Sequence, residues 1–123
     1  MSENKKTILL VEDEDYVRDF IGLLLQDEYN ILNAANGVDA INQINIHEHI
    51  DLMLLDLHMP GINGLDLLRT LRKEVEKDIP VIVITAYSSS EIRQEAMELG
   101  VKDFISKPFS VENLTKSIQK ILK

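Results

Sequence analysis

A doubly wound α/β sandwich, one parallel sheet with helices on both faces, is the fold class this sequence predicts. Three observations carry it. Short apolar runs rich in β-branched side chains recur at Thr7-Ile8-Leu9-Leu10-Val11, Leu52-Met53-Leu54-Leu55 and Val81-Ile82-Val83-Ile84, the pattern of strands buried on both faces. Segments with helical apolar spacing separate them, and every connection is short. The runs also end on polar residues: Glu12-Asp13, Asp56, Thr85-Ala86 and, after Phe104-Ile105-Ser106, Lys107-Pro108. In a parallel sheet those ends gather at the carboxyl edge, where open α/β sheets bind ligands.

The elements follow in order. After the first strand, Asp15 is expected to cap a helix whose apolar residues are Val17, Phe20, Ile21, Leu24 and Leu25. Tyr29 to Ala34 reads as a second, more polar strand. Asn36-Gly37 marks a turn into a shorter helix carrying Val38, Ile41 and Ile44 toward His47. The strand ending at Asp56 leads into His58-Met59-Pro60-Gly61-Ile62-Asn63-Gly64, whose proline and glycines make a tight loop. Leu65, Leu67, Leu68, Leu71 and Val75 define the third helix, ended by Asp78 and Pro80. Ser88 to Leu99 forms the fourth, stopped by Gly100 as the residue after the cap. Ser110 caps the last, which buries Leu114, Ile118, Ile121 and Leu122.

Five strands alternating with five helices, with right-handed crossovers, leave the polar second strand best suited to an edge. The order 2-1-3-4-5 follows, with its switch point between the first and third strands. Glu12, Asp13 and Asp56 end those two strands.

Composition narrows the function. A chain of 123 residues is expected to be a single domain spanning 1–123, and 45% hydrophobic residues supply an ordinary core. No apolar stretch approaches the ~18 residues that a bilayer span requires. The start has no signal-peptide core, and there is no cysteine for disulfides, thiolate metal sites or cysteine nucleophiles. A cytoplasmic location is expected. The formal net charge of −8 argues against nonspecific binding of this domain to DNA or anionic membrane.

Carboxylates gathered at one sheet edge repel by ~4 kcal/mol per pair at about 4 Å and an effective dielectric near 20. A hard divalent cation relieves that repulsion, and oxygen ligands completed by water suit Mg²⁺ better than Zn²⁺. Pro108 fixes the chain immediately after Lys107, and a cis bond is a natural form for it. Ala86 is small enough to leave room for a tetrahedral group near Asp56. One reaction fits the set: Asp56 attacks a phosphorus atom, Mg²⁺ and Lys107 neutralise the equatorial oxygens, and Thr85 hydrogen-bonds the product.

The residues Val11-Glu12-Asp13-Glu14, Leu54-Leu55-Asp56-Leu57, Met59-Pro60-Gly61, Asn63-Gly64, Ile84-Thr85-Ala86 and Lys107-Pro108-Phe109 together resemble a response-regulator receiver domain, the CheY-like phosphoacceptor of two-component signalling. The likeness runs from Lys6 to Leu122 and implies a flavodoxin-like fold. It implies that Asp56 takes a phosphoryl group from a phosphohistidine on a sensor histidine kinase or histidine phosphotransfer protein. Asp13 and Asp56 would ligate Mg²⁺ directly with the backbone carbonyl of His58, and Glu12 would act through water. Such a domain is not an enzyme acting on a separate substrate; it promotes its own phosphorylation and dephosphorylation. Thr85 and Phe104 would move together as the switch, Phe104 turning inward. Phe104 replaces the commoner tyrosine, and His58, Tyr87 and Ala86 flank the pocket where such positions tune phosphoryl lifetime. His47 and His49 are expected to be solvated.

The resemblance places the output on the fourth helix, fifth strand and fifth helix, around Ile92, Arg93, Glu95, Lys102, Phe104, Glu112 and Lys116. Mixed charge there favours a downstream protein target or an appended output domain over DNA. DNA-binding members often pair through an arginine in the last helix; Ser117 falls near that place, which disfavours that dimer. Length and the Thr85-Ala86-Tyr87 run are similar to single-domain phosphorelay receivers. Two rivals come from other classes. A Mg²⁺-dependent aspartyl-phosphate hydrolase would want an aspartate where His58 stands, and a flavin-binding module would want a glycine-rich phosphate loop where Glu12-Asp13 repels phosphate.

Overall fold

The structure, a computed structural model, describes residues 5–59, 61–74, 78–86 and 88–123. The expected alternation is present throughout: β1 (Thr7–Val11), α1 (Asp15–Leu25), β2 (Asn30–Ala34), α2 (Gly37–Ile46), β3 (Leu52–Leu55), α3 (Gly64–Glu74), β4 (Val81–Thr85), α4 (Ser90–Glu98), β5 (Asp103–Ser106) and α5 (Val111–Leu122). The five strands form one sheet in the order β2-β1-β3-β4-β5. All four pairings are parallel, with Val11 beside Leu55, Leu55 beside Val83 and Thr85 beside Ser106. The carboxyl ends of β1 and β3 thus lie side by side.

Strand alternation divides the core into two layers. Leu9, Val11, Met53, Leu55, Val81 and Val83 face one side, where they meet Ala40 and Ile44 of α2, Leu67, Leu68 and Leu71 of α3, and Ala96 of α4. Ile8, Leu10, Leu52, Leu54, Ile82 and Ile84 face the other and meet Ile21 and Leu25 of α1 and Leu114 and Ile118 of α5. Each fully buried Leu or Ile contributes about 1.5–3 kcal/mol relative to exposure. The central strands β1, β3 and β4 are buried along their whole length and give firm support to groups at their ends.

Turn chemistry meets the expectation at Ser110, Gly100 and the Asn36-Gly37 turn, and supplies further caps that the sequence reading did not place. Asn36, Ser89 and Ser110 cap α2, α4 and α5, each accepting from the N–H three residues on. Asn63 does the same for α3 through Asp66 N–H, at 3.0 Å. Gly100 follows α4 with φ +86°, the left-handed conformation glycine adopts without strain. The Lys107–Pro108 bond is cis.

Several local expectations are corrected. Asp15 is the first residue of α1 rather than its cap; Glu14 occupies the cap position and makes no side-chain cap bond. Phe20 and Val38 are exposed, at 50% and 59%, because each lies on the border of its helix's apolar stripe. Strand β2 begins at Asn30, not Tyr29, and α4 begins at Ser90 after the Ser89 cap. Ile121 and Leu122 are only partly buried. His47 is half-buried at the C-cap of α2 instead of solvated, whereas His49 is exposed. Val75, Pro60 and Tyr87 lie outside the described residues.

Candidate functional site

The loop after β1 and the loop after β3 meet because their strands are neighbours. Glu12 N–H donates to Ala34 O across to β2 at 3.0 Å, and Asp56 N–H donates to Val11 O at 3.0 Å. These bonds extend the ladder by one residue and hold both backbones at the sheet edge. Glu12, Asp13 and Asp56 each then offer a carboxylate oxygen within 4.8 Å of the others. Glu12 and Asp56 are almost fully buried, at 2% and 5% exposure, and Asp13 is half-buried.

Lys107 closes the cluster from β5. Its Nζ donates to Glu12 Oε1 and to Asp56 Oδ2, both at 2.8 Å. Its own N–H donates to Thr85 O at 2.9 Å, which ties the lysine's backbone to the end of β4. The second oxygen of Asp56 accepts from His58 N–H at 3.0 Å, so the tight loop that follows fixes the plane of the carboxylate. The second oxygen of Glu12 accepts from Glu14 N–H at 3.2 Å.

Charge follows from this packing. Burial pushes the Glu12 carboxyl above its ordinary value of 4.5 and the neighbouring Asp56 adds to the rise, against the opposing bonds from Lys107 and Glu14 N–H. Burial alone would lower Lys107, but its bonds to Asp56 and Glu12 outweigh that and hold it above 10.5. Lys107 is accordingly a firm cation between two carboxylates.

The donor set fits a hard divalent ion. Three carboxylates can converge, no thiolate exists in the chain, and all-oxygen donors with room for water match Mg²⁺. Among the described residues this is the one such cluster.

The other expected residues stand around it. Thr85 is fully buried at the end of β4 and Ala86, next to it, is exposed. His58 is exposed two residues beyond Asp56. Tyr87 lies outside the described residues. Phe104 is already buried, at 4% exposure, with the Arg93 guanidinium 5.4 Å over its ring, so the expected inward turn does not start from an exposed ring in this conformation. Of the expected output residues, Glu95 instead pairs with Arg69 of α3.

Contacts of two residues, Ser117 and Arg18, escaped the sequence reading. Ser117 donates to Asp103 Oδ2 at 2.6 Å, joining α5 to β5. Arg18 reaches back from α1 to Glu12 O and to Asp15. The spacing of Arg18 from Asp15 was a usable signal for the ion pair; the carbonyl contact has no sequence signature.

A parallel sheet of order 2-1-3-4-5, with carboxylates and an ammonium at its switch point, is the CheY-like class of flavodoxin-like α/β fold. Residues 8–119 match the response regulator receiver domain family, and the chain belongs to that family, the receiver domains of two-component response regulators. It is 37% identical over 117 residues to the response regulator ArlR of Staphylococcus aureus, covering 94% of this chain and 52% of that protein. It is 36% identical to a probable transcriptional regulatory protein of a Picosynechococcus species, covering 97% and 50%. The chain spans about half the length of these curated relatives. The crystal structure of a response regulator receiver protein from Pseudomonas putida superposes with a TM-score of 0.90 at 28% identity, covering 97% of this chain and 99% of that one. No helix among the described residues is long and apolar enough to cross a membrane.

Proposed function

We propose that Asp56 is the phosphoryl acceptor of this receiver, taking the group from a phosphohistidine of a sensor histidine kinase or histidine phosphotransfer protein. The observation that carries this reading is the joint grip of Lys107 on Glu12 and Asp56, 2.8 Å from each. An oxygen of Asp56 attacks phosphorus while the P–N bond to the donor imidazole breaks, and the imidazole keeps the electron pair. Asp56 needs no general base, because it is a carboxylate paired with a cation. His58 N–H fixes the carboxylate plane from one side. Lys107 lies where it can turn onto the incoming oxygens, and Thr85, buried at the end of β4, would hydrogen-bond the product once the group is on Asp56.

Asp13 and Asp56, with the carbonyl of His58 and with Glu12 through water, would hold Mg²⁺. When bound, that ion supplies positive charge against the phosphoryl oxygens. Residues 1–123 act as one receiver unit that promotes its own phosphorylation and dephosphorylation in the cytoplasm, without a separate substrate. His58 and Ala86 stand beside the pocket and, together with Tyr87, two residues after Thr85 in sequence, tune the lifetime of the acyl phosphate. Thr85 and Phe104 carry the change to the face of α4, β5 and α5, for a downstream protein target or an appended output domain.

The test is labelling with a small acyl-phosphate donor and Mg²⁺, read by intact mass. One phosphoryl group that mild alkali removes is expected on the wild-type protein, and none on Asp56→Asn. Persistent stoichiometric labelling of Asp56→Asn would overturn the assignment.

A further inference from the structure

The helices of this molecule differ in how their first turns are fixed. Asn36, Asn63, Ser89 and Ser110 each cap one through a side-chain oxygen. Helix α1 has Glu14 at that position and no side-chain cap bond, yet it follows directly on the residues that form the acidic site. Besides Glu14 N–H, which donates to Glu12 Oε2 at 3.2 Å, a second group holds the chain between β1 and α1.

Arg18 does so from the first turn of the helix. One terminal nitrogen donates to Glu12 O at 2.7 Å and the other to Asp15 Oδ1 at 2.6 Å. The side chain is 18% exposed and Asp15 is 86% exposed, so the guanidinium reaches inward to the carbonyl and outward to the carboxylate. The two contacts bracket Asp13 and Glu14. A carbonyl lies in the peptide plane it shares with the next residue. Glu12 is already fixed through its N–H to Ala34 O; fixing its C=O as well orients the Glu12–Asp13 peptide and hence the direction in which Asp13 leaves the backbone.

We propose that Arg18 is a positioning residue for the cation site, acting through the Glu12 carbonyl to aim the Asp13 carboxylate at the space beside Asp56. This rests on the reading that these carboxylates bind a divalent cation, and it makes a prediction of definite sign. As a mere positive charge near the site, Arg18 would oppose a cation, and its removal would tighten binding. As a positioning group, its removal weakens binding, because the oxygens no longer converge. Groups that orient metal ligands by hydrogen bonding are typically worth 10–100-fold in affinity.

The experiment is a Mg²⁺ titration of the full chain by calorimetry and by ¹⁵N NMR, for wild type, Arg18→Met, Arg18→Lys and Asp15→Asn. Arg18→Met and Arg18→Lys are expected to bind on the order of tenfold more weakly, since a lysine keeps the charge but cannot span both acceptors. Asp15→Asn, which removes the charge of the exposed anchor but keeps an oxygen that can accept from Arg18, is expected to lose less. The Asp13 amide, which shares its peptide with the Glu12 carbonyl, is expected to shift in metal-free Arg18→Met and Arg18→Lys. If Arg18→Met does not fold, Arg18→Lys and Asp15→Asn decide. Wild-type or tighter affinity in Arg18→Lys overturns the inference. Absence of Mg²⁺ binding by the wild type overturns instead the reading on which it rests.

Discussion

The ammonium of Lys107 lies 2.8 Å from Glu12 Oε1, across 95 positions of sequence, and at the same distance from Asp56 Oδ2. Two buried carboxylates share one cation, which makes the charge balance of the site depend on a single side chain.

Replacing that side chain exposes the dependence. Lys107→Met should destabilise the protein by about 3 kcal/mol near neutral pH, as expected when one partner of a buried pair is removed. The pH sign follows from Glu12, whose carboxyl in the fold is already pushed above the ordinary 4.5. Between those two values the native state binds more protons than the unfolded chain, so stability falls as pH rises through that window and levels off above it. Without Lys107 the window widens and the fall deepens. Urea unfolding from pH 4 to pH 8 measures it; parallel curves for variant and wild type would show that Lys107 is not the countercharge.

Divalent-ion affinity should depend more on Asp13 than on Glu12. Asp13 is half-buried, whereas Glu12 is committed to Lys107 and Glu14 N–H. Asp13→Asn should weaken Mg²⁺ binding by at least tenfold and Glu12→Gln by less. Equal, unaltered affinity in both would place the ion elsewhere.

Beryllofluoride with Mg²⁺, a mimic of the phosphoryl group, should shift NMR resonances of Thr85, Ala86, Phe104 and Arg93. The ring of Phe104 is already buried beneath Arg93, so the response should appear as a changed Arg93–Phe104 contact and not as the burial of an exposed ring. Thr85→Ala should keep cation binding but lose much of that distant response. If the mimic binds and these residues stay unchanged in the wild type, the output lies on another face.

The loop after Asp56 offers a steric contrast. A Cβ on Gly64 would sit 2.5 Å from Leu57 Cα and 3.0 Å from Asp56 O, whereas one on Gly61 would meet nothing within 4 Å. Gly64→Ala should destabilise by about 3 kcal/mol and displace the backbone beside Asp56. Gly61→Ala meets only its φ of +82° and should cost about 1–2 kcal/mol. Denaturant unfolding of the pair checks the order; a larger loss at Gly61 would mean that the loop yields at Gly64.

The strands were legible because burial on both faces leaves little choice of residue: Leu52–Leu55 and Val81–Ile84 could be nothing else of that length. Ser110 and Gly100 were legible because capping and positive φ are local demands. The site was legible because strand order alone brings Glu12, Asp13 and Asp56 to one edge. Phe20 and Val38 were misjudged because helical periodicity identifies a stripe but not its border. Asp15 lost the cap position to Glu14 because the chain enters α1 on short-range bonds, Glu14 N–H to Glu12 Oε2 and Arg18 to Glu12 O, that no residue type announces. Asp103–Ser117 was invisible for the same reason, since neither residue type announces a partner in another element.

The arrangement at the ends of β1 and β3 also has a thermodynamic side. Glu12, Asp13 and Asp56 come together only when the sheet has formed, so the unfolded chain offers a divalent cation no comparable grip. Whatever affinity the folded site has is then converted wholly into resistance to unfolding, about 2.7 kcal/mol when free ion stands at one hundred times its dissociation constant. Raising the free ion concentration should lift the melting temperature of the entire sheet, including strand β2, which supplies none of the three carboxylates. The melting temperature thus serves as a gauge of occupancy that requires neither phosphoryl donor nor kinase.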